Sequence, residues 1–224
     1  MFFNKPKAQY SIVNDLDSDV FNLFQVVKDS KEEFLNLFSI TPMSEELFNY
    51  WLKNKETEPI EKALRFLFLS SFSYLGKNDT FILLHSNCSY KQKLKRLINE
   101  SADYFKNTMF TNKDFRLFFD SIYETEKHIP KSQRFIYADS PYVEATDNYG
   151  TPKWTKEDCT DLLDTLISTE IRFGMSEFNH EFVLDEANKR GLNIIEIGKR
   201  RNLKNERTEI LITNYENRQY NLFC

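Results

Sequence analysis

Glycine is scarce in this chain of 224 residues: there are five, the first is Gly76, and no Gly-x-Gly occurs anywhere. Loops in which the backbone closely approaches a phosphate depend on such glycines, so nothing in the sequence reads as a phosphate loop. Cysteine is equally sparse. Cys88, Cys159 and Cys224 stand far apart with no Cys-x-x-Cys pair, which fits neither a disulfide framework nor a zinc site. The three histidines, His85, His128 and His180, lack metal-ligand spacing, so surface or helix-end roles are expected for them and no metal is expected in the protein. No segment approaches the roughly 18 apolar residues of a membrane span, and Met1-Phe2-Phe3-Asn4-Lys5-Pro6 lacks the apolar run of a signal peptide. The expectation is a cytoplasmic protein without a membrane partner.

What is present is aromatic. Hydrophobic residues make up 41% and aromatics 15%, with 21 Phe, enough for a substantial core at the size of one α/β domain with an insertion. The net charge of −4 argues against a uniformly basic nucleic-acid binder, which leaves local runs to decide. Tyr10 to Val13 reads as a strand, Asn14-Asp15 as an acidic turn, and Asp19 to Lys28 as a helix capped by Asp17 or Ser18. Thr41 to Glu126 is mostly helical in pattern, with helices opening at Pro42-Met43-Ser44, over Ile60 to Ser70 and over Tyr90 to Phe105. After Pro130 the style changes. Phe135 to Ala138 is a continuous apolar run, expected of a strand buried on both faces of a parallel sheet. A Trp154 to Ile167 helix follows, capped by Thr155 with Asp158, then an Ile171 to Met175 strand and a Phe182 to Arg190 helix closed by Gly191. Strands over Ile194 to Ile197 and Glu209 to Thr213 complete an alternating α/β pattern whose middle is a helical insertion.

The segment that carries chemistry is Phe135 to Tyr142, a strand running into Asp139-Ser140-Pro141-Tyr142. Ligands in open α/β sheets sit at the carboxyl ends of strands, where this tetrapeptide falls. An exocyclic amine is a poor nucleophile because its lone pair is delocalised into the ring. A site that alkylates it needs acceptors for its N–H groups, which Asp139 and a nearby carbonyl supply, and a flat surface for the base, which Tyr142 supplies. An ordinary strand-end turn has the same composition.

This tetrapeptide resembles the Asp-Pro-Pro-Tyr motif of amino-methyltransferases, and the chain resembles the Dam-type adenine class in motif order. Phe2-Phe3-Asn4-Lys5-Pro6 through Val13-Asn14-Asp15-Leu16-Asp17 is similar to that family's stretch after its glycine loop. Arg65 to Leu69 with Phe72 and Gly76 is similar to the start of its target-recognition region. Arg172 to Ser176 and Glu209 to Tyr215 resemble its later strands.

The resemblance implies an adenine-specific DNA N6-methyltransferase with a Rossmann-like, S-adenosylmethionine-dependent α/β sheet and an inserted, mainly helical target-recognition subdomain. Residues 1–38 and 127–224 would form the methyltransferase domain and 39–126 the insertion. Asp139, Ser140, Pro141 and Tyr142 would be catalytic, and S-adenosylmethionine would be held by Asp15, Asn14, Phe3 and Asp139, with Asp15 receiving the ribose hydroxyls. Without the family, Asp15 reads as a helix-entry residue.

Two departures stand out. Ser140 occupies the place of the first proline, leaving its carbonyl less firmly aimed, and the family's glycine loop would precede the Phe-Phe stretch where this chain begins. A fragment, a misplaced start, a second chain supplying the missing segment, or an inactive DNA-binding remnant would all have this appearance.

Double-stranded DNA is the expected partner. Lys91, Lys93, Lys95 and Arg96 lie in a stretch without acidic residues, as do Lys199, Arg200 and Arg201 beside Asn202. Each run could neutralise several phosphates, though such runs are often only solvated surface. A target base must leave the duplex to be methylated, and Thr146 to Thr151, with Tyr149 and Gly150, is a candidate loop to close on it.

Overall fold

The computed structural model describes residues 8–73, 80–82, 87–125, 128–143, 153–201 and 206–216, with the side chains of 87–88, 123–125, 200–201 and 206 outside the description. The chain divides into two compact units, Met1–Asp114 and Phe115–Cys224.

In the first unit, strand β1 (Ser11–Asn14) leads into α1 (Ser18–Asp29), α2 (Lys31–Ile40), α3 (Glu45–Lys53), α4 (Pro59–Ser71) and α5 (Asn87–Phe105), then β2 (Thr108–Thr111). Helix starts follow local chemistry. The Asp17 carboxylate accepts from the Asp19 amide at the start of α1, the Ser44 hydroxyl accepts from the Leu47 amide at α3, and Pro59 opens α4 where its missing N–H costs nothing. The apolar faces meet in one cluster in which Phe34, Phe38, Phe48, Phe68 and Phe105 are fully buried. Truncating any one of them to Ala would cost about 3–5 kcal/mol in lost transfer energy and cavity.

Strand β2 lies in the segment whose pattern reads as helical. It pairs in parallel with β1, from Ser11↔Thr108 to Asn14↔Thr111. Four residues with alternating burial are too short a signal to stand out between helices. Residues between Val13 and Phe38 share this core with helices of the 39–114 segment, and the boundary between compact units falls after Asp114.

The second unit runs α6 (Phe115–Thr125), a short 3-10 turn (Lys131–Gln133), β3 (Phe135–Ala138), α7 (Lys156–Ser168), β4 (Arg172–Phe178), α8 (Glu181–Lys189), β5 (Asn193–Arg201) and β6 (Glu206–Thr213). Its sheet has the order β3-β4-β6-β5, with β3 parallel to β4 and both remaining pairs antiparallel. The expected capping box at α7 is formed in full by Thr155 and Asp158, and Gly191 takes the left-handed conformation (φ 64°) just past α8. α7 buries Cys159, Leu162, Leu163 and Leu166 in a core with Phe173, Met175 and Ile212.

Two sequence expectations need correction. β3 is not buried on both faces within this unit: it pairs only with β4 among the described residues, and Phe135 is 51% exposed. The β5–β6 hairpin extends well beyond its apolar stretches. Lys199, Arg200 and Arg201 pair with Thr208, Arg207 and Glu206 through the backbone ladder, which a hydrophobic pattern cannot register.

Candidate active site

The parallel register ends at Ala138↔Met175, so Asp139, just past β3, lies beside Ser176, still within β4. The Ser176 hydroxyl donates to Asp139 Oδ1 at 2.9 Å, and the Tyr137 hydroxyl donates to Ser176 Oγ at 3.1 Å. An ionised carboxylate only accepts, so the single Ser176 proton is committed to Asp139. Ser176 is also a hydrogen-bond partner of the Tyr142 hydroxyl. Burial raises the Tyr142 phenol above its ordinary value, opposed by this hydrogen bond and reinforced by the negative charges of Asp139 and Glu209. Asp139 itself is exposed, and its Oδ2 has no partner among the described residues.

The Tyr142 ring stands edge-on to Phe178, centroids 4.4 Å apart and planes at 77°, and the Arg207 guanidinium lies over Phe178 at 5.2 Å. Pro141 and Tyr142 are half-buried. The Ser140 hydroxyl is buried with no hydrogen-bond partner among the described residues. Behind the tetrapeptide, the Val143 amide donates to Glu177 Oε1 at 2.6 Å. Glu177 is fully buried, and burial pushes its carboxyl up to about 7 against the opposing pull of the Val143 and Phe178 amides and Arg207.

In the first unit, Asp15 follows β1. Its amide donates to Thr111 O, its Oδ1 accepts from the Asp17 amide at 2.9 Å, and its Oδ2 has no partner among the described residues. Burial raises its carboxyl pKa. Asn14 is occupied: its Oδ1 accepts from Thr111 Oγ1 and the Lys113 amide while Nδ2 donates to Lys113 O, lacing β1 to the end of β2. Phe3, Asn202 and the Thr146 to Thr151 loop lie outside the described residues.

The basic residues divide. Lys91 sends its ammonium to the carbonyls of Ser39 and Thr41 at 3.0 and 2.7 Å and over the Phe38 ring, closing the end of α2. Lys93 is exposed, Lys95 half-exposed, and Arg96 pairs with Glu100 at 3.6 Å along α5. Lys199 is exposed on β5, where Arg200 and Arg201 follow it in the ladder.

Sequence reasoning assigned no role to Tyr137, Ser176, Glu177, Phe178 or Arg207. Only Glu177 had a readable signal, an acidic residue within a strand otherwise buried. No group of side chains suited to a metal ion occurs among the described residues, and no described helix is long and apolar enough to cross a membrane.

The second unit is mixed α/β and carries an acidic, aromatic tetrapeptide at the end of β3. The chain belongs to the D12 class N6 adenine-specific DNA methyltransferase family, whose profile matches residues 1–218. No curated protein matches it. An adenine N6-methyltransferase acting on DNA is the enzyme this membership defines.

Proposed function

We propose that the protein transfers a methyl group from S-adenosylmethionine to N6 of an adenine flipped out of double-stranded DNA, using Asp139 to Tyr142 as the catalytic loop. The observation that carries this reading is the state of Asp139. One carboxylate oxygen is fixed by Ser176 and the other has no partner among the described residues, at the exposed end of β3. Asp139 Oδ2 accepts an N–H of the exocyclic amine, and the Tyr142 ring, fixed at its hydroxyl by Ser176 and at its edge by Phe178, stacks on the base. Ser140 and Pro141 set the backbone between them.

S-adenosylmethionine, when bound, supplies an electrophilic methyl group. The residue best suited to hold it is Asp15, a half-buried carboxylate whose Oδ2, without a partner among the described residues, suits ribose hydroxyls. Asn14 is less available, since its side chain is already engaged at both ends. The Rossmann-like sheet with a helical target-recognition insertion belongs to the same proposal. So does phosphate contact by Lys93, Lys95 and Arg96 and by the β5–β6 hairpin, to which Arg207 adds a charge opposite Arg200.

The full chain incubated with tritiated S-adenosylmethionine and double-stranded DNA should yield labelled N6-methyladenine. Asp139→Asn should lower turnover by about a hundredfold or more. Tyr142→Ala should lower turnover far more than cofactor affinity; equal losses in both would move the ring out of the base pocket. Salt-dependent DNA binding with no transfer would make the protein a DNA-binding remnant. Label on RNA or on protein amides instead would change the acceptor.

A further inference from the structure

Glu177 is a carboxylate with no exposure and no ion pair among the described residues. Its Oε1 accepts from the Val143 amide at 2.6 Å and its Oε2 from the Phe178 amide at 2.7 Å. Burying such a group is unfavourable, and an apolar side chain of similar volume would usually serve the core better. Its position gives it a task. Val143 follows Tyr142 directly and is only 2% exposed, so the tetrapeptide leaves the site at an anchored amide. Consecutive residues of a strand point to opposite faces, so Ser176 and Glu177 hold the loop from both faces of β4, one at Asp139 and the other at Val143.

We infer that Glu177 is a positioning residue for methyl transfer, whose carboxylate, by gripping the Val143 amide, fixes the backbone that aims the Tyr142 ring. This rests on the reading of Asp139 to Tyr142 as the base-binding loop. A charged acceptor holds an amide more strongly than a neutral one, so protonation loosens the grip. The titratable groups acting on Glu177 are Arg207 on β6, which favours its charge, and the Cys159 thiol on α7, whose own ionisation is suppressed by burial and by Glu177. With its carboxyl pushed up to about 7, Glu177 changes state in the neutral range, and the grip tightens as pH rises.

The test compares the full chain with Glu177→Gln in two measurements. Single-turnover methyl transfer between pH 5.5 and 9 should climb through pH 7 in the parent. In the variant the climb should be absent and the rate at pH 8 lower by about tenfold, with S-adenosylmethionine affinity within about twofold. Hydrogen exchange of the Val143 amide, which needs no activity, should be about tenfold or more faster in Glu177→Gln at pH 8. Unchanged Val143 exchange, or a variant with the parent's rate and pH profile, overturns the inference. A parent with no transfer at all removes the proposed function, while the exchange result still decides whether Glu177 anchors the loop.

Discussion

Raising the pH from 5 to 8 should destabilise this protein, and most of the loss should trace to Glu177. Its folded-state carboxyl is raised from 4.5 to about 7, so the folded chain keeps a proton that the unfolded chain has released. The stability this confers is fully present below about 4.5 and is lost as pH rises through about 7. At about 1.4 kcal/mol for each tenfold change in proton affinity, the displacement is worth about 3 kcal/mol, a large fraction of the roughly 5–15 kcal/mol by which domains are usually stable. Most of the other perturbed groups act outside this window. Asp158, Glu170 and Glu186 are lowered and act on the acid side, while Cys159, pushed up to about 12, acts in alkali. Asp15 is raised as well, but from 3.8, and contributes in the same direction. Urea unfolding of the full chain at pH 5, 6, 7 and 8 measures the effect, and Glu177→Gln should abolish most of the slope. A parent whose stability is flat or rises across this range, or a variant with the same decline, would refute the reasoning.

The Asp15→Ala change should weaken S-adenosylmethionine binding by calorimetry while DNA affinity persists, and an unchanged Kd would remove Asp15 from the cofactor site. Replacing Lys93 and Lys95 together by Ala should reduce the slope of log affinity against log salt by about 2, since each neutralised phosphate contributes about 0.9. Lys91→Ala should leave that slope alone and lower stability instead, because its ammonium serves the end of α2; a slope that moves with Lys91 would contradict its placement. Ser140→Ala removes a buried hydroxyl with no partner among the described residues and should raise Tm by about 2–4 °C. A lower Tm would show that the hydroxyl is satisfied.

Local signals in the sequence were dependable where one residue type has one physical use. Asp17, Thr155 with Asp158, and Gly191 terminate their helices as their chemistry requires. The tetrapeptide's place at the end of β3 was legible because a continuous apolar run stops there at an acid and a proline. What was not legible depends on pairing between distant strands. Ser176 sits beside Asp139 only because β3 and β4 align in parallel, and Arg207 joins the basic hairpin only through its register with Arg200. Nor does charge in a sequence reveal where a side chain is spent. Lys91 shares α5 with Lys93 and Lys95, yet it turns onto the carbonyls of α2.

The hydroxyl network around Ser176 has a direction. Tyr137 donates into Ser176, Ser176 donates into Asp139, and the carboxylate donates to nothing, so Asp139 Oδ1 is the sink of that chain. A proton shed by the amine in the proposed reaction therefore has no conducting path along this chain, because the Tyr137 and Ser176 hydroxyls already present their hydrogens toward the carboxylate. It departs from Oδ2, on the solvent side of an exposed residue. Water at the mouth of the site, and not the protein interior, is then the final base, and turnover should respond to buffer and solvent deuterium at that face.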